Sequence, residues 1–121
     1  MLPGPNRLHR SVDFDTVVRH GARKGRRTLV VHARVDTSLA RVGGPRVGLI
    51  VSRAVGNSVT RHRVSRRLRH ISMEVMDDID AELDIVIRAN RASADATRAD
   101  LVRDMRSCLD SATSRAREGA A

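Results

Sequence analysis

The sequence predicts an α+β fold: one β-sheet with helices packed on it. Three observations predict it. Residues 28–35 alternate, with Leu29, Val31, Ala33 and Val35 on one side and Val30, His32 and Arg34 on the other. Residues 83–89, Leu-Asp-Ile-Val-Ile-Arg-Ala, form a nearly continuous apolar run, as a central strand requires. Between them Val64, Leu68, Ile71, Val75 and Ile79 recur at helical steps.

The elements follow in order. Residues 1–10 contain Pro3, Gly4 and Pro5 and are expected to be loosely held. A helix is expected over Ser11–His20, capped by Ser11, with Asp13 and Asp15 favouring its N-terminal dipole and Gly21 stopping it. Phe14, Val17 and Val18 form its apolar edge. Residues 22–28 hold a short edge strand, and 28–35 the alternating strand. Residues 37–45, with Gly43, Gly44 and Pro45, read as a loop. Residues 46–52 read as a strand with Val47, Leu49 and Val51 on one face and Gly48, Ile50 and Ser52 on the other. A helix starts near Asn57 or Ser58 and runs to about Ile79, ending in acids up to Asp84. The strand at 83–89 follows, then a helix over about 95–117 with Leu101, Met105, Cys108 and Leu109 inward. The tail from 116 to 121 is expected to fray.

A chain of 121 residues is expected to form a single domain. Its core must be aliphatic, because Phe14 is the only aromatic ring among Phe, Tyr and Trp. Cys108 is the only cysteine, which excludes an internal disulfide; its place on the inward stripe marks it as a small buried apolar group rather than a reactive thiol. No apolar run is long enough to span a bilayer, and the N-terminus has no signal-peptide core, so a cytoplasmic protein without a membrane partner is expected.

Function concentrates in residues 53–69. Six arginines fall there with no acid among them, and Val55, Val59, Val64 and Leu68 interrupt them. Arg63, Arg66, Arg67 and Arg69 are expected opposite the apolar stripe. Guanidinium groups bind phosphate in pairs of parallel bonds and stack on bases. A solvated, solubilising face is the plainer alternative, but such faces interleave acids with bases. The net charge of +9 agrees with nucleic-acid binding. Only Lys24 among the 23 basic residues is lysine, so the clustering of arginine says more than its abundance.

Catalytic chemistry is missing from the pattern. The five histidines show no metal-ligand spacing, and there is no phosphate loop. The carboxylates between Glu74 and Asp84 could in principle hold Mg²⁺ as in a metal nuclease, but they cluster at one turn and read better as a solvated acidic surface. The residues expect no bound metal in the protein.

The run from Val51 to Arg69 closely resembles the signature of the bacterial ribonuclease P protein family, approximately V-S-K-K-x-G-N-A-V-x-R-N-R-x-K-R-x-x-R. Arg7-Leu8, Asp13-Phe14 and Gly21 resemble its first helix, Arg46-Val47-Gly48 its strand before the signature, and Asp84-Ile85-Val86-Ile87 its last strand. The resemblance implies an αβββαβα sandwich with one mixed sheet and a left-handed βαβ crossover, as in domain 2 of ribosomal protein S5. It implies a subunit of a ribonucleoprotein endonuclease that removes the 5′ leader of precursor tRNA, whose active site and Mg²⁺ belong to the RNA. The implied partners are that RNA, in a 1:1 complex, and precursor tRNA, with no obligate protein partner. The implied RNA-subunit contacts are Arg53, Asn57, Arg61, His62, Arg63, Arg66, Arg67 and Arg69. The implied cleft for the single-stranded leader holds Phe14, Val18 and His32. The chain departs from the pattern in several places. His62 replaces the usual Asn, Ser65 a Lys, and Arg53-Ala54 two lysines; Val18 and His32 stand where aromatics are common. The rival expectation is a ribosome-associated RNA-binding protein with no part in cleavage.

Overall fold

The computed structural model describes residues 4–36 and 44–120. Most of the expected 37–45 loop therefore lies outside the described residues, as do Met1–Pro3 and the last residue. The first helix, α1 (Ser11–His20), leads into β1 (Ala22–Gly25) and β2 (Leu29–Val35). Then come β3 (Arg46–Ile50), α2 (Ser58–Val75), β4 (Leu83–Ala89) and α3 (Arg98–Ala120). The order is αβββαβα, and the strands form one mixed sheet in the order β1-β2-β4-β3. β1 and β2 are antiparallel, as are β2 and β4, while β3 and β4 run parallel and are joined through α2.

The two faces of the sheet carry separate cores, because side chains alternate along each strand. Leu29, Val31, Ala33, Val47, Ile85 and Ile87 face α2 and α3, where they meet Val64, Leu68, Ile71, Leu101, Met105 and Cys108. A smaller cluster on the other face joins Leu8, Val17 and Val86, with Phe14, Val18 and Ile50 packed against it. α1 lies over this second face.

Several element ends differ from the sequence expectation, each for a local reason. Ser11 is the first helical residue of α1 rather than its cap; Arg10 holds the cap position with no side-chain bond to the helix backbone and instead pairs with the Asp13 carboxylate of the first turn. Gly21 does end α1, and it is needed for space rather than for a left-handed turn. A Cβ there would lie 2.4 Å from the Val17 carbonyl oxygen and 2.6 Å from that of Ala33. α2 stops at Val75, and Met76–Asp78 tighten into a 3₁₀ turn closed by Ile79 N–H donating to the Met76 carbonyl. Asp77 and Asp78 oppose the negative C-terminal end of a helix dipole. Ile79 still packs on the core, which is why the stripe runs past the helix. α3 begins after a reciprocal cap: Thr97 N–H donates to Asp100 Oδ2, and Asp100 N–H donates to Thr97 Oγ1.

One buried carboxylate holds the β1–β2 connection to α3. Asp104, 1% exposed, accepts from Thr28 Oγ1 at 2.7 Å and from Thr28 N–H at 3.3 Å. It also pairs with Arg26 and Arg103. Burial alone would raise its pKa, but the bonds from Thr28 and Arg103 reverse this and leave it below the ordinary carboxylate value.

Candidate nucleic-acid interface

The loop before α2 fixes where the arginine helix starts. Gly56 has φ +155, a conformation that side chains disfavour. Asn57 then caps α2, its side-chain oxygen accepting from Thr60 N–H at 2.9 Å. Val55 is buried and anchors the loop to the main core. Arg53 stands exposed in this loop.

α2 buries Val64, Leu68, Ile71, Ser72 and Val75. Its basic residues do not form one arc, as the sequence suggested, but three. Arg63 and Arg67 lie on the flank toward the turn before α3, where Arg63 Nη2 donates to the Ala94 carbonyl at 3.1 Å and Arg67 Nη1 to the Ala96 carbonyl at 3.3 Å. Arg61 and Arg69 lie on the flank toward β3. Arg69 Nη2 donates to Ser65 Oγ at 3.0 Å, and the Arg61 Nε is buried without a partner. Between the flanks, His62, Arg66 and His70 point outward, and with Arg69 they line an open groove of about 280 Å³.

Ion pairing sorts the arginines by surface. Among the described residues, Arg53, Arg61, Arg63, Arg66, Arg67 and Arg69 pair with no carboxylate. Four of the five arginines of α3 do, Arg103 with Asp100 and Asp104 among them, while Arg115 donates to the Arg23 carbonyl instead. Arg98 pairs with Glu74, Arg106 with Asp78, and Arg117 with Asp80. The acidic turn, expected to be merely solvated, is thus a clasp between α2 and α3. It does not fit a metal site: Glu74, Asp78, Asp80 and Asp84 each face a guanidinium group. Among the described residues no group of three or more His, Cys, Asp or Glu is placed to hold a metal ion.

The second surface is the sheet face under α1. Register places Arg23, His32, Val86 and Gly48 in one row across β1, β2, β4 and β3. Phe14 lies over Gly48, so close that a Cβ on residue 48 would sit 2.4 Å from two ring carbons. Val18 packs beside Val86 and Val17. The three residues expected to line a cleft therefore do share this face. His32 is buried, and neither ring nitrogen meets another described group. Burial, then Arg88 and Arg23, push its pKa below the ordinary histidine value, so the ring is neutral at pH 7. Strand alternation puts Arg23, Arg34 and Arg88 on this face too, and none of them pairs with a carboxylate among the described residues.

A groove of about 220 Å³ joins the two surfaces around β3. Arg7, Leu8, Phe14, Gly48, Ser65 and Arg69 are among its lining residues. Sequence reasoning missed Arg7, Ser65 and His70. Arg7 precedes the predicted elements, and its position comes from an isolated bridge to Val47 on the free edge of β3. His70 was visible as the residue one turn beyond Arg66 on the same ridge.

Fold and surface together define an α+β protein with an uncompensated guanidinium helix beside a basic, partly apolar sheet face. The chain belongs to the ribonuclease P protein family, whose model, described as "Ribonuclease P", matches residues 2–113. The ribonuclease P protein component of Nocardia farcinica is 50% identical over 127 residues, covering 90% of this chain and 81% of that protein. That of Rhodococcus opacus is 51% identical over 112 residues, covering 90% of each. The solved RNase P protein of Staphylococcus aureus superposes with a TM-score of 0.76 at 24% identity, covering 87% of this chain and 93% of that one. The Thermotoga maritima RNase P protein gives 0.72 at 20% identity, covering 85% and 94%, and at these identities both show the fold alone. No helix among the described residues is long and apolar enough to cross a membrane.

Proposed function

We propose that this protein is the RNA-binding subunit of ribonuclease P. It holds the RNA subunit through α2 and the unpaired 5′ leader of precursor tRNA through the face under α1. The observation that carries the proposal is the sorting of arginines: among the described residues, four of the five in α3 are paired with carboxylates, and none of those in α2 is. A guanidinium without a carboxylate keeps its full attraction for phosphate. Arg63 and Arg67 are already oriented by carbonyls, so less side-chain freedom is lost on binding. Asn57 contributes through the cap that fixes the first turn, with Arg53, Arg61, His62, Arg66 and Arg69 around it.

Phe14 offers a stacking surface for one unpaired base and Val18 extends it, with the neutral ring of His32 buried in the sheet face beneath them. Arg23 and Arg88 stand beside it for the backbone. Phosphodiester hydrolysis and its Mg²⁺ belong to the RNA in this scheme. The protein's part is to position the substrate and to screen phosphate repulsion between two RNAs. Its site of action is the cytoplasm, as one protein per RNA.

Reconstitution tests the proposal. Precursor tRNA is incubated at low Mg²⁺ with the protein, with a ribonuclease P RNA, or with both. Cleavage of the leader should need the RNA and be stimulated by the protein, which alone should cleave nothing. Replacing Arg63, Arg66 and Arg67 together by Ala should lower the slope of log affinity against log salt by about 0.7–0.9 per lost phosphate contact. A folded triple variant with unchanged affinity and slope would remove α2 from the interface. Specific cleavage by stringently purified protein alone would defeat the subunit assignment.

A further inference from the structure

The outward ridge of α2 has a chemistry that the flanks lack. Its groove is lined by two imidazoles and two guanidiniums, His62, His70, Arg66 and Arg69, all from one helix. Residues three and four apart share a helix face, so the four side chains form a single rail. The groups that could compete for them are few. Glu74, one turn beyond His70, is the nearest carboxylate along this face, and it is paired with Arg98. Arg61 and Arg63 flank His62, Arg67 flanks His70, and none of the three carries a negative partner among the described residues. No other element contributes to the groove lining. His9, by contrast, meets the Gly4 carbonyl, and His20 lies by the α3 end.

We propose that this groove is a proton-coupled phosphodiester site, with both imidazoles charged when RNA phosphate occupies it. The proposal rests on the assignment of α2 to the RNA subunit. Imidazole is the side chain whose charge changes near neutrality, and a nearby anion favours its charged form. Each histidine that seats against a phosphate takes one proton from solvent onto a ring nitrogen. The guanidiniums stay charged throughout and supply the attraction that does not vary with pH. Binding of the RNA subunit is therefore tighter in mildly acid solution, beyond the salt-dependent attraction common to any basic helix. His62 stands where the family pattern has Asn, which cannot take up a proton, so the coupling is a property of chains with histidines at these two places.

The test uses the full-length protein and a ribonuclease P RNA at fixed monovalent salt and Mg²⁺. Affinity is measured from pH 8 to 6, with circular dichroism checking the fold at each pH. Calorimetry in two buffers of different ionisation enthalpy counts protons at pH 7. Wild-type affinity should rise about tenfold for each histidine whose pKa the RNA raises by one unit. With a shift of that size, binding at pH 7 should take up about half a proton per histidine, roughly one in all. The His62→Asn, His70→Gln pair should lose both the rise between pH 8 and 6 and the uptake, each judged against its own affinity at pH 8; the two single substitutions serve if the pair misfolds. An equal pH slope in the substituted protein, or binding without proton uptake, would overturn the proposal. Arg66→Ala with Arg69→Ala separates the two levels. If it leaves affinity unchanged, the assignment of α2 itself fails. If it weakens binding while the histidine substitutions change nothing, only the proton coupling fails.

Discussion

Gly48→Ala tests whether the ring of Phe14 is held on the sheet by shape. The new methyl would lie 2.4 Å from Phe14 Cε1 and Cζ and 3.2 Å from Leu8 Cβ. Carbon atoms prefer separations of roughly 3.5–4 Å, so the ring must retreat by about 1 Å or more. Phe14 is half-buried, and it can swing toward solvent. Either overpacking or lost ring burial then costs about 1–3 kcal/mol. For a chain of this size that corresponds to a fall in Tm of about 4–12 °C. Phe14→Leu shortens the side chain and removes the clash, so the double variant should be little worse than Phe14→Leu alone. The interaction energy of the cycle should be of the same size as the Gly48→Ala cost. Phe14 carries the only Phe, Tyr or Trp ring, so ring-current shifts of the Leu8, Val17 and Val86 methyls report its position by NMR. In the holoenzyme, Gly48→Ala should cut the preference for precursor over mature tRNA by about 1 kcal/mol, the lower end of base stacking, or roughly fivefold. Additive costs in the cycle, with methyl shifts unchanged in Gly48→Ala, would refute the placement of the ring. A displaced ring with an unaltered preference would leave Phe14 as core alone.

Three further outcomes are expected. Asp104→Ala should destabilise by about 2–4 kcal/mol in denaturant titration, because it orphans the buried N–H and hydroxyl of Thr28. The lowered pKa of Asp104 means that its stabilisation is complete above the unfolded value of about 3.9 and is lost as pH falls through the folded value, so Asp104→Asn should flatten the acid limb of the stability curve. His32 has the same sense from the opposite charge type: its folded pKa is lowered, the unfolded chain binds the extra proton, and stability should drop as pH falls below about 6.5, a drop that His32→Leu abolishes.

The sequence carried the element order because each element is amphipathic with its own period. Val64, Leu68 and Ile71 could only be a helix, and 83–89 could only be a covered strand. The two-sided core was half legible: β2 alternates, yet which face α1 would cover depends on contacts such as Leu8 with Val86. Asp104 was missed although it stands on the inward stripe between Leu101 and Cys108; a charge there signals a buried network only once Thr28 is known to face it. The arginine run was legible as a basic helix. Its division into three ridges was not, because the division comes from carbonyls at Ala94 and Ala96 and from Ser65, far away or on a flank. Similarly, nothing along the chain says that Glu74, Asp78 and Asp80 answer to arginines of α3.

That clasp gives the molecule a direction. With the acids gathered where α2 ends and answered locally, the surplus positive charge is displaced toward the start of α2 and the face under α1. A protein approaching RNA from a distance is turned by such an imbalance before any contact forms, so encounters begin with the useful side forward. Reversing Asp78 and Asp80 to lysine would leave the arginine helix untouched and blunt this orientation: encounters with RNA should become more frequent, and a smaller share of them should begin with the useful side forward.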